Sequence, residues 1–253
     1  MVKVEECRNM RLSYNDVFKY SDLLNPISSN TIFLAGKLAD LNPKKNILDL
    51  GSGKGYPSLL WASVFGANVE GFDLNKSFVE YANSRARLLN LSNKARYLCG
   101  DVRELKFIHK YDVVSSLGLG IVRVYGTIRV AIKKFKSMLR NGGFLILGEP
   151  VWLVKPVPQN VQETLKEPEQ NLGTKHEIDY LLSELNFEVL KFYVSSKEDW
   201  ECYIRPVNVV MLELMESNPK LSTECKEIID DFEAEYQAAK RYLDMVLWVA
   251  RTN

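Results

Sequence analysis

The chain has 253 residues, 46% hydrophobic and 26% charged, a composition that supports a sizeable core and excludes general disorder. Its 33 Lys and Arg face 32 Asp and Glu, a net charge of +1. No overall field therefore draws the protein to nucleic acid or an anionic membrane, and small-molecule chemistry is the expectation.

The opening MVKVEECRNM lacks the apolar stretch of a signal peptide, and no run approaches the roughly 18 apolar residues of a membrane span. A cytoplasmic protein is expected. Cys7, Cys99, Cys202 and Cys225 are scattered without metal-ligand spacing, so neither a metal site nor a disulfide framework is expected. From Tyr14 the chain reads as a short amphipathic helix marked by Tyr14, Val17, Phe18 and Leu24, broken at Asn25-Pro26 and followed by a second helix capped near Ser28-Ser29.

Short aliphatic runs then alternate with amphipathic stretches, the pattern of a parallel sheet covered by helices. Strands are expected at 46–50, 68–72, 95–99, 111–116, 143–148, 187–194 and 243–251, with helices at 57–65, 77–90, 122–139 and 175–185. Asn141-Gly142-Gly143 is expected to stop a helix and turn the chain. In IKKFKSMLR, Ile132, Phe135 and Leu139 share one helical face and leave the charges to solvent. Long charged amphipathic helices fill 199–242 before the last strand.

The chemistry gathers at predicted strand ends. ILDLGSGKGYPS passes from a strand through Asp49, Gly51, Ser52, Gly53 and Gly55 into a helix that opens at Pro57, the layout of a loop whose bare backbone lies against a ligand. Its GxGxG spacing is tighter than the GxGxxG of a pyrophosphate cradle. Asp73, in VEGFDLN, ends the second strand, where a carboxylate accepts hydrogen bonds from a ribose diol. Asp101, in YLCGDVREL, follows the third and is placed to meet an adenine amine. Three acids without a phosphate-binding Lys or Arg motif argue for an adenosine ligand that lacks phosphates.

On ILDLGSGKG, GFDL, CGD and LRNGGFLILGEP, the chain resembles the class I S-adenosylmethionine-dependent methyltransferases over roughly 46–150. NPIS, GEPVW and EDWECYIRP resemble a subgroup acting on small molecules of mostly unassigned identity. The resemblance implies an α/β, Rossmann-like seven-stranded sheet with helices on both faces. The whole chain would form one domain, with an N-terminal helical lid (1–42), a cofactor-binding core (43–198), a helical insertion (199–242) and a last strand (243–253).

It further implies S-adenosylmethionine as cofactor. Asp49 would face the methionine amine, and the backbone of Gly51, Ser52, Gly53 and Gly55 would run along the methionine and ribose. Asp73 with Leu74 would hold the ribose, Asp101 and Val102 would bracket the adenine, and Ser116 and Leu117 would lie near the sulfonium. In SLGLGIVRVYGTIRV, Ile121, Arg123 and Val124 make a bulkier loop than the subgroup pattern, so acceptor specificity is not inherited from it.

Glu149 and Trp152, beyond the fifth strand, are expected at the acceptor pocket with Tyr14, and Glu149 or a lid tyrosine would take the acceptor's proton. Tyr20, Tyr125, Trp200 and Tyr203 are further candidate walls, whereas His109 and His176 lie in a loop and at a helix start. The expected function is methyl transfer to a small-molecule acceptor by direct in-line displacement, in a monomer or homodimer. Two alternatives stay open: a non-catalytic protein that binds the cofactor as an interaction partner, and a methyltransferase of RNA or protein. An oxidoreductase on a related fold would need GxGxxG, which is absent.

Overall fold

Each short apolar run becomes a strand of one sheet: β1 (Asn46–Leu50), β2 (Asn68–Asp73), β3 (Ala95–Cys99), β4 (Tyr111–Leu117), β5 (Leu139–Trp152), β6 (Phe187–Val194) and β7 (Leu243–Thr252). The computed structural model describes residues 12–105, 110–162, 172–239 and 241–253; His109 lies outside them. The strand order is β3-β2-β1-β4-β5-β7-β6, with β1 to β5 parallel and β7 antiparallel to both of its neighbours. The order reverses between β1 and β4, so the loops leaving their carboxyl ends diverge and open a crevice.

Ten helices surround the sheet among the described residues: α1 (Tyr14–Val17), α2 (Ser29–Leu38), α3 (Tyr56–Phe65), α4 (Lys76–Leu88), α5 (Ile121–Tyr125), α6 (Ile128–Met138), α7 (Gln159–Gln162), α8 (Lys175–Glu184), α9 (Lys197–Ser217) and α10 (Ser222–Ala239). The expected Ser28 cap is present, its hydroxyl accepting from Thr31 N–H. Thr174 with Glu177, and Ser196 with Asp199, form reciprocal capping boxes that start α8 and α9.

The sheet separates two apolar clusters. One holds Ile47, Val69, Val113 and Ile146 with residues of α2, α3, α4, α9 and α10. The other holds Leu48, Leu50, Val114 and Leu147 with residues of α5, α6 and α8. The Trp61 indole, fully buried, donates to Ile32 O at 2.7 Å and ties α3 to α2.

Two expected boundaries differ. The helix expected over 122–139 is two helices, because Gly126 turns with φ 78° and Thr127 caps a fresh start. The expected turn at Asn141-Gly142-Gly143 lies inside β5, where pairing with β4 jumps from Tyr111↔Leu139 to Val113↔Phe144. The chain bulges there, with Gly142 at φ 68°.

β5 is also longer than expected, and its length corrects the acceptor site. Side chains alternate faces along a strand: Leu145, Leu147 and Val151 enter the α5–α6–α8 cluster, and Ile146 and Trp152 the opposite one. Glu149 therefore shares parity with Leu147, and Trp152 points the other way. GEPVW cannot present both to one ligand.

Glu149 is 2% exposed, and its Oε2 accepts from Ile121 N at 3.3 Å, at the start of α5. Burial pushes its pKa up to about 8, against the opposing pull of the Ile121 and Gly120 backbone bonds. Burial thus favours its neutral form, and its position outside the cavity at the strand ends removes it from the acceptor side. A folded pKa above the unfolded one means that the folded state binds the proton more tightly, so this contribution to stability fades as pH rises from 4.5 to about 8. Calorimetry across that range should show Tm falling more in the natural protein than in Glu149→Gln; equal slopes would mean that Glu149 is ionised in the fold.

Candidate active site

At the carboxyl edge of β1 the backbone must turn sharply beneath other side chains. Gly51 and Gly53 adopt φ 69° and 53°, and a Cβ would meet Leu119 Cδ1 at 2.5 Å on Gly51 and Leu24 Cδ1 at 2.9 Å on Gly53. Only glycine suits both demands. Gly55 has another role: a Cβ there would strike Tyr97 and Ala82, so its bareness lets α3 and β3 pack.

Asp73 shapes this loop. One carboxylate oxygen accepts from Gly53 N and the other from Asn75 N, each at 2.8 Å. Burial raises its pKa and these two N–H bonds pull it back. Asp49 is 3% exposed, with Oδ1 bonded to Ser115 Oγ at 2.7 Å and Oδ2 without a partner. Its burial likewise raises its pKa.

These residues floor a cavity of about 790 Å³, lined from below by Asp49, Gly51, Ser52, Gly53, Asp73 and Leu74, with Asp101, Val102 and Leu117 beside them. Nine of the eleven expected cofactor residues thus meet in one place. The other two do not line it: Gly55 packs as described, and Ser116, on the same face as Val114, is fully buried under the α5 side. Asp101 reaches the wall with its carboxylate engaged by the Arg103 guanidinium and N–H, which holds its pKa below the usual range.

Of the acceptor-side expectations, Tyr14 and Tyr203 line the cavity, and Glu149 and Trp152 do not. Tyr20 is half exposed and donates to Glu213. Tyr125 packs edge-on against Phe135, and the Trp200 indole donates to Asp244. His176 is exposed in the first turn of α8.

Two residues not singled out as site candidates also line the cavity. Asn25 donates through Nδ2 to Leu117 O at 3.0 Å while its Oδ1 is buried without a partner. Lys54, inside the glycine loop yet only 7% exposed, donates to Phe18 O at 2.6 Å with Tyr81's ring 4.9 Å from its ammonium. It fastens the residues after α1 to the loop. Phe18 in turn packs against Tyr203 and Phe232, at centroid distances of 6.3 and 6.0 Å, and α1, α9 and α10 together roof the cavity.

A ligand suited to this floor carries a ribose, an adenine and a cation facing the unpartnered oxygens of Asp49 and Asn25. S-adenosylmethionine, with its ammonium and sulfonium, has that chemistry, and the bare backbone at Gly51 and Gly53 leaves the loop surface clear.

Comparison with known proteins agrees. Residues 47–143 match the family model described as a methyltransferase domain. The chain is similar to the uncharacterized protein YjhP of Escherichia coli (strain K12), 26% identical over 232 residues, 87% of this chain and 86% of that one. It also resembles a 27-O-demethylrifamycin SV methyltransferase of Amycolatopsis mediterranei (strain S699), 27% identical over 183 residues, 70% of this chain and 65% of that one. Its fold is that of a SAM-dependent methyltransferase from Thiobacillus denitrificans solved with S-adenosyl-L-homocysteine, with TM-score 0.85 and 22% identity over 95% of this chain and 98% of that one. Residues 47–143 are a methyltransferase domain, and the chain carries it on the fold of the solved S-adenosylmethionine-dependent methyltransferases.

Proposed function

We propose that the acceptor is a small molecule, methylated by direct in-line displacement inside the roofed cavity. The observation that carries this reading is the lining: α1, α9 and α10 contribute apolar walls to the cavity at the strand ends, leaving a chamber suited to a small ligand. The similarity to a 27-O-demethylrifamycin SV methyltransferase supports the same class of acceptor.

S-adenosylmethionine would supply a methyl group on a sulfonium: the carbon–sulfur bond breaks as the acceptor's lone pair forms its bond to the methyl carbon, the sulfur leaves as a neutral thioether, and the acceptor's proton passes to solvent. The chain's own part is placement. Asp73 would hold the ribose diol, Asp49 and Asn25 Oδ1 would take the ammonium, and Leu74 and Val102 would flank the adenine. Aligning the reacting atoms accounts for about 7–11 kcal/mol of barrier in well-oriented systems, so a wall without a strong base suffices. Residues 12–24, held by Lys54, would act as a lid that keeps water from the reacting centre.

S-adenosylhomocysteine at about 100 times its Kd should stabilise the protein by about 2.7 kcal/mol, read as a rise in Tm. NAD at equal concentration should do nothing, and a shift with NAD alone would defeat the reading. Asp73→Ala should weaken S-adenosylhomocysteine binding about tenfold or more, since hydrogen bonds to a charged group contribute about 1.5–3 kcal/mol. An unchanged Kd in the folded variant would show that Asp73 serves only the loop. For the lid, Lys54→Met should speed amide exchange across residues 12–24 while β4 and β5 keep their protection; unaltered exchange would show that the ammonium does not hold the segment.

A further inference from the structure

The cavity's two sides differ in chemistry. Its carboxylates, Asp49, Asp73 and Asp101, stand at the ends of β1, β2 and β3, the side suited to the cofactor. The roof presents Tyr14, Val17 and Phe18 from the N-terminal segment, and Tyr203, Ile228 and Phe232 from α9 and α10. Among the described residues, no side chain that α9 or α10 contributes to the lining is charged.

The roof is also preorganised. Tyr14 stacks on Phe18 at 5.7 Å and Tyr203 lies 5.6 Å from Phe232, with Phe18, Tyr203 and Phe232 each at most 5% exposed. Burial drives the Tyr203 phenol pKa far up, so that group remains neutral.

Asp22, Lys54 and Arg103 of the wall are engaged. Asp22 accepts from Tyr81 Oη at 2.8 Å and lies 3.7 Å from Arg85. Lys54 is bonded to the Phe18 carbonyl, and Arg103 to Asp101. Arg123, from α5, also lines the cavity but is not part of the roof that α9 and α10 form.

We infer that the acceptor is a neutral, apolar, ring-bearing molecule seated against the aromatic roof. This rests on the methyl-transfer reading and narrows it. A ring burying its faces on Phe18, Tyr203 and Phe232 gains the hydrophobic term and the geometric preference of aromatic pairs. Against this roof a zwitterionic amino acid would be desolvated on carbon, where α9 and α10 offer its charges no partner.

The test is titration calorimetry on protein saturated with S-adenosylhomocysteine, using 2-naphthol as the neutral ring probe and sarcosine as the zwitterion. The expected result is 2-naphthol binding at one site at least tenfold more tightly than sarcosine, about 1.4 kcal/mol. Ile228→Glu should abolish that binding while the affinity for S-adenosylhomocysteine stays within about threefold, a change of less than 1 kcal/mol. Should that variant not fold, Phe232→Leu, which keeps an apolar roof, should weaken 2-naphthol several-fold on its own. Tighter binding of sarcosine, binding of neither probe, or 2-naphthol binding indifferent to the roof variants overturns the inference. Failure of S-adenosylhomocysteine to bind the natural protein would instead sink the methyl-transfer reading, so the two failures are distinguishable.

Discussion

The Asp73 carboxylate, bridging Gly53 N–H and Asn75 N–H, is the interaction on which the site's geometry depends. It fastens the loop after β1 to the loop after β2, at the edge where strand order reverses. The left-handed turns at Gly51 and Gly53 then present backbone rather than side chain to the cavity. A carboxylate so placed is costly, since burial raises its pKa. Its retention at the wall is intelligible if a ligand's hydroxyl groups complete its hydrogen bonding.

The roof depends on the floor through Lys54. An ammonium buried beside a glycine loop would be expensive alone, but it meets the carbonyl that ends the short N-terminal helix and the face of Tyr81. The same segment carries Phe18 into the α9–α10 aromatic cluster. The N-terminal segment, the α9–α10 pair and the glycine loop are thereby coupled through a few contacts, although they lie far apart along the chain.

The floor was legible in the sequence because its signals are local. A glycine at positive φ, an acid at a strand end and a proline in the first helical turn each follow from the backbone around them. The acceptor side was not. Glu149 and Trp152 were read as neighbours because they are close in sequence, yet β5 continues to Trp152 and parity separates them. Asn25 was visible only as a break before Pro26, for its carbonyl partner lies 92 residues away at Leu117. Nothing local marks Lys54, because its carbonyl partner Phe18 lies 36 residues earlier. The helices of 199–242 were evident from their amphipathic pattern, but which face covers the cavity is a tertiary fact.

The central claim is that one cavity holds the methyl donor on its acidic floor and the acceptor beneath its aromatic roof. A crystal structure with S-adenosylhomocysteine tests it most directly. The account predicts the ribose on Asp73, the amino group between Asp49 and Asn25, and the sulfur facing Tyr14, Tyr203 and Phe232. An adenosyl group lodged within the aromatic roof, or a sulfur turned away from it, would contradict the account.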